Sequence, residues 1–195
     1  MNLARLKLMR SAARVGRFHT VPTIRAQSVG EHTFGVLAIL FEIGQGDPDF
    51  NIDVIYAALQ HDTPEAITGD VPAPAKWLYP AVEVGLRAAE RYVKDSFELR
   101  GVAMSPRQTQ MIKFADALEL TIYSIEELDM GNRHMAVMAF NALSAIQKND
   151  LYSVNPAATE LYNEVVLSYQ CKAGTATPVV DTWHGTPLVI KGVNS

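Results

Sequence analysis

The chain has 195 residues, 48% of them hydrophobic, and a formal net charge of -4. That is enough for one substantial core and too little for two, and the charge has the wrong sign for a protein whose partner is a nucleic-acid polymer. The longest apolar run, Phe34 to Phe41, is far below the roughly 18 residues that cross a bilayer, and a single cysteine, Cys171, excludes an internal disulfide framework and points to a reducing compartment.

Helical spacing runs almost to the end of the chain, so an all-α fold is predicted. The first helix is expected over 2–15. It lies in a stretch with Arg5, Lys7, Arg10, Arg14, Arg17 and Arg25 and no acid before residue 31, leaving 11 of the 17 basic residues to face all 21 acids. An Arg-rich, acid-free start resembles a transit peptide. Here Leu3, Leu6, Met9 and Ala13 fit a packed helix, and the basic segment reads instead as a device that steers a small anionic substrate.

The next helix, 31–44, carries FGVLAILF, apolar on all sides and therefore predicted to be central. A helix over 51–68 follows, in which Ile52, Ile55, Leu59, Asp62 and Ala66 fall on one stripe that is expected to be buried. Helices are predicted over 80–99, 106–130, 132–148 and 156–171. Ser105-Pro106 and Asn155-Pro156 each place a capping residue before a proline at the first helical position. The last stretch, 174–195, departs from helical spacing. Val179-Val180 and Leu188 to Ile190 flank His184-Gly185 there, the pattern of a short β-ribbon or extended arm. Such a ribbon is marginal alone, so it is expected to pack on the body or on a second copy in a homo-oligomer. The domain layout is thus 1–173 and a tail, 174–195.

Four residues break the apolar pattern where a charge is costly: His32, the pair His61-Asp62, and Asp116 inside MIKFADALEL. Two neutral imidazoles and two carboxylates are a donor set for one divalent transition metal, with manganese, cobalt, iron, nickel and zinc all suited. Glu65 follows His61 by four residues and Asp70 follows Gly69, leaving two acids for proton transfer. A second divalent ion beside Glu65 and Asp70 is compatible with this set. Arg17 offers a fork of donors to a phosphate, and Lys76 adds a second cation from beyond Asp70. His19, His134 and His184 have no partner pattern.

The order H, then HD, then D, in GEHTFGVL, LQHDTPEAITGDVPAPAKW and KFADALEL, resembles the HD-domain superfamily. More narrowly it is similar to bacterial HD-type 5'-deoxynucleotidases and the related phage dATP triphosphohydrolases, from about Leu3 to about Gln147. The resemblance implies a single helical bundle of about seven helices, in the cytoplasm of a bacterium or a phage-infected host. It implies His32, His61, Asp62 and Asp116 as metal ligands and Glu65 and Asp70 as catalytic acids. Arg17 and Phe18 match the family's arginine followed by a large aromatic, with phenylalanine where relatives carry tryptophan. The implied activity is cleavage of a deoxynucleotide between the 5' oxygen and the α-phosphorus. A dATP triphosphohydrolase is the preferred expectation, and a 5'-deoxynucleotidase acting on monophosphates is the alternative. A non-catalytic nucleotide-binding module would be expected to have lost a ligand or an acid, and all six are present.

Overall fold

The structure, a computed structural model, describes residues 2–99 and 101–173. The expected tail at 174–195 lies outside the described residues, His184 with it. The described residues are helical, with an isolated antiparallel bridge between Gly16 and Ser28 in place of any strand. No described helix is long and apolar enough to cross a membrane.

Helix α1 (Leu3–Ala12) leads into a loop closed on itself by hydrogen bonds from Arg17 N to Gln27 O and from Val29 N to Val15 O, both 2.8 Å. Helix α2 (Val29–Gly44) starts two residues earlier than predicted. Ser28 and Glu31 form a reciprocal capping box there, which satisfies two of the donors that a helix start leaves bare. The helix predicted over 51–68 is two helices, α3 (Ile52–Gln60) and α4 (Glu65–Thr68). Pro64 has no N–H to continue the ladder, and tight turns from Gln60 O to Thr63 N and from Asp62 O to Glu65 N replace it. Helix α5 (Ala73–Leu78), absent from the sequence expectation, and α6 (Pro80–Ser96) follow. Helices α7 (Pro106–Asp129), α8 (Met135–Lys148) and α9 (Pro156–Ala173) match the predicted ones closely. Ser105 and Asn155 cap α7 and α9 as their sequences demand.

The core lies where α7 packs against α2, α8 and α9. Val36, Leu40, Met111, Phe114, Leu118, Ala139 and Ile146 are fully or almost fully buried there. Three predicted faces are corrected. In α2, Phe34 is 74% and Phe41 50% exposed, so the helix shows one side to solvent. In α3 the buried stripe is Val54 and Ala58, not Ile52 and Leu59. In α1 it is Leu8 and Ala12, while Leu3 and Leu6 are exposed. Every one of these segments is apolar on more than one side, and hydrophobicity alone does not choose which side meets the core.

Candidate metal centre

His32 comes from the buried face of α2, His61 and Asp62 from the turn that ends α3, and Asp116 from the middle of α7. Their ligand atoms converge. His32 Nε2 lies 3.0 Å from Asp116 Oδ1, 3.7 Å from Asp62 Oδ2 and 3.4 Å from His61 Nε2, and His61 Nε2 lies 3.1 Å from Asp62 Oδ2. One atom each from His32, His61 and Asp116 falls within 4.8 Å of the others, a group that could hold a metal ion. His32 is wholly buried, whereas half of the Asp116 side chain faces solvent, so Asp116 stands at the mouth of the site and not in the closed core that its sequence suggested.

The outer nitrogens fix what the inner ones present. His61 Nδ1 donates to the Ala58 carbonyl at 2.6 Å, and His32 Nδ1 donates to the Glu119 carboxylate. Both acceptors lack a proton to give, so each neutral ring carries its hydrogen outward and turns the Nε2 lone pair inward. With both rings neutral, two lone pairs and two carboxylates face a common centre, whereas with the rings protonated each Nε2–H donates to an aspartate. A bound cation can take the place of those protons, and the mixed nitrogen and oxygen set suits a divalent transition metal.

Protonation shows the same demand. Burial alone would push the His61 imidazolium down, but the hydrogen bond to Asp62 and the charges of Asp62 and Asp116 raise its pKa to about 9. His32 is raised too, because hydrogen bonds to Asp116 and Glu119 outweigh its burial. Burial works to raise Asp62, yet its bond to His61 and the nearby positive charges hold it down at about 2.

Glu65 opens α4 next to this cluster. Its Oε2 is buried and meets no hydrogen-bond partner among the described residues. Burial first, and then the charges of Asp62 and Asp70, raise its pKa to about 8, against the pull of Arg17 and Lys76. A carboxyl with one buried, unpartnered oxygen beside other charged groups is a candidate for proton transfer. Asp70 and Lys76 are partly buried and stand close enough for their charges to reach Glu65. Gly69, with φ of +70°, turns the chain from α4 towards Asp70, a conformation that glycine adopts freely.

Arg17 and Phe18 lie in the closed loop before α2. Phe18 has φ of +57°, unusual for an aromatic residue, and stacks on Tyr123 with ring centroids 4.8 Å apart. The Arg17 guanidinium sits over the Phe18 ring and is held by Gln27 Oε1 at 2.9 Å and Glu119 Oε2 at 3.4 Å. The charges of Asp62, Asp70, Arg17 and Lys76 all act on Glu65, and Phe18 lies against Arg17. His19 and His134 are exposed. Sequence reasoning missed Glu119 and Gln27. Glu119 could have been found, because it lies three residues after Asp116 and so on the same side of α7.

Known proteins resemble this chain in sequence and in fold. The family described as 5'-deoxynucleotidase YfbR-like matches residues 3–165. A 5'-deoxynucleotidase YfbR from Salmonella arizonae is 27% identical over 154 residues, covering 67% of this chain and 73% of that protein. An HD-domain phosphohydrolase from Listeria innocua shares the fold, with a TM-score of 0.67 at 18% identity over 88% of this chain and 90% of the other. The cyanophage S-2L HD phosphohydrolase DatZ, bound to dA and one catalytic Zn2+, shares it with a TM-score of 0.59 at 19% identity over 88% and 97%.

Proposed function

This chain belongs to the YfbR-like 5'-deoxynucleotidase family, a family of metal-dependent hydrolases, and from that premise we propose that it hydrolyses deoxynucleoside 5'-monophosphates to a deoxynucleoside and inorganic phosphate. In this reading His32, His61, Asp62 and Asp116 hold one divalent ion. Such an ion supplies Lewis acidity to a water and to the phosphoryl oxygens. Glu65, in the ionised form that a nearby cation would favour, takes a proton from the attacking water as the new O–P bond forms. Asp70 gives a proton to the 5' oxygen as the old P–O bond breaks. Arg17 and Lys76 bind the phosphate oxygens, and Phe18 lies against the sugar. The observation that carries the reading is the buried, unpartnered Oε2 of Glu65 beside four metal-ligating side chains whose ligand atoms lie close together.

The sequence favoured a dATP triphosphohydrolase. The family match and the curated relatives support the monophosphate reading better, and DatZ, at 19% identity, speaks for the fold alone. A panel of deoxy- and ribonucleotide mono-, di- and triphosphates, each with manganese, cobalt or zinc, tests the choice. Inorganic phosphate from deoxynucleoside monophosphates is expected. Triphosphate released from dATP would move the assignment to the alternative, and binding without turnover would point to a non-catalytic module. Dialysis against the same metals counts the ions: one is expected, and two would mean a second beside Glu65 and Asp70.

The homo-oligomer expected from sequence belongs with this proposal, as does a cytoplasmic location. Exposed Leu6, Phe34, Tyr56 and Leu59 lie on α1, α2 and α3, and Phe34 and Leu59 help to line an apolar cleft of about 250 Å³, the kind of surface that a second copy covers. Solution mass with and without residues 174–195 tests the subunit role of the tail, and an unchanged oligomer would exclude it.

A further inference from the structure

Glu119 serves two parts of the site with one carboxylate. Its Oε2 accepts from His32 Nδ1 and stands 3.4 Å from Arg17 Nη1, while its Oε1 accepts from Gln27 Nε2 at 2.7 Å. Gln27 closes the ring by accepting from Arg17 Nη1 at 2.9 Å. The side chains involved are nearly dry, with His32 0%, Glu119 10% and Arg17 14% exposed. Room for Glu119 exists because residue 35 is glycine: a Cβ there would lie 2.7 Å from Glu119 Cγ.

A guanidinium fixed through one Nη keeps its remaining N–H groups for an anion. An imidazole fixed through Nδ1–H keeps its Nε2 lone pair for a cation. We propose that Glu119 is a positioning residue that couples the two: it holds His32 in the metal-binding tautomer and, with Gln27, holds Arg17 in the phosphate-binding pose. Losing Glu119 then weakens metal and phosphate together, which neither arm alone would do. The inference rests on the phosphohydrolase reading of the site, and its test separates the two.

Three full-length variants are compared with wild type after thermal melts confirm folding. Glu119→Gln keeps the shape and removes the charge. Calorimetric titration with Mn2+ should show affinity reduced about 10- to 100-fold, and at saturating Mn2+ the KM for dAMP should rise about 10-fold with a smaller change in kcat. Gln27→Leu cuts only the Arg17 arm, so KM should rise while Mn2+ affinity stays within about 2-fold of wild type. Gly35→Ala displaces Glu119 without touching any charge and should reproduce the loss of Mn2+ affinity. Unchanged Mn2+ affinity in folded Glu119→Gln and Gly35→Ala overturns the proposal, as does an unchanged KM in both Glu119→Gln and Gln27→Leu. If wild type turns over no deoxynucleotide, the functional reading fails. Titrations with Mn2+ and with inorganic phosphate still decide the role of Glu119.

Discussion

Two polar clusters lie towards opposite ends of α2, and they are built on opposite rules. At the C-terminal end Arg107 donates to Asp47 at 2.8 and 2.7 Å, to Asp49, and to the Val154 carbonyl at 3.1 Å. Asn155 completes the set, donating to Ile43 O and to Asp47 Oδ2 and accepting from Ala158 N, each at 2.8 Å. Burial would raise the Asp47 carboxyl, but Asn155, the Asp49 amide and Arg107 together hold it below the usual range. Donors and acceptors there are matched, so the cluster ties α2, α7 and α9 together and wants nothing else. At the candidate metal centre His32, His61, Asp62 and Asp116 face one another as acceptors whenever the rings are neutral, and Glu65 Oε2 is unpartnered beside them. A matched cluster holds the fold, whereas an unmatched one is completed by a ligand.

The contrast can be broken from either end. The largest effect is expected for Asp116→Ala or Asp62→Ala: metal content by mass spectrometry and turnover should fall together, each on the order of 10³-fold. Glu65→Ala should instead keep the metal and lose about 10²- to 10³-fold in turnover, and retained turnover would remove its role. In chelated protein Glu65 gives a pH signature. Its folded pKa of about 8 lies above its ordinary 4.5, so its contribution to stability is full below pH 4.5 and is lost as pH rises through 8. Denaturant unfolding should show stability falling across that window by on the order of 1–4 kcal/mol, and Glu65→Gln should flatten the slope.

The matched cluster predicts the reverse pattern. Arg107→Ala removes one of the three partners of the Asp47 carboxyl and should lower Tm, with kcat and metal content unchanged. A loss of metal in this variant would mean that the two ends are not independent. The smallest effect is expected for Lys76→Ala, a KM raised about 3- to 5-fold with unaltered stability, since a partly exposed cation contributes little.

The unmatched cluster was legible in the sequence because charge on an apolar helix stands out locally: His32 beside FGVLAILF and Asp116 inside KFADALEL each break a pattern within a few residues. The matched cluster was not, because Asp47, Arg107 and Asn155 each look like ordinary loop or helix-end residues until the fold joins positions some 50 to 110 apart in sequence. Helix existence was readable from period and caps, but the orientation of α1, α2 and α3 was not. Leu3, Phe34 and Ile52 are as apolar as the residues that are buried, and only packing distinguishes them. The break at Pro64 had a sequence signal, a proline inside a helical pattern, and the apparent continuity of the Ile52 to Ala66 stripe hid it.

Every catalytic role proposed for this chain depends on His32, His61, Asp62 and Asp116 holding one divalent ion between them. Anomalous diffraction from crystals soaked in Mn2+ or Zn2+ would locate that ion. A single strong peak is expected at about 2.0–2.3 Å from His32 Nε2, His61 Nε2 and a carboxylate oxygen of each aspartate. A peak elsewhere, or none there at saturating metal, would contradict the assignment.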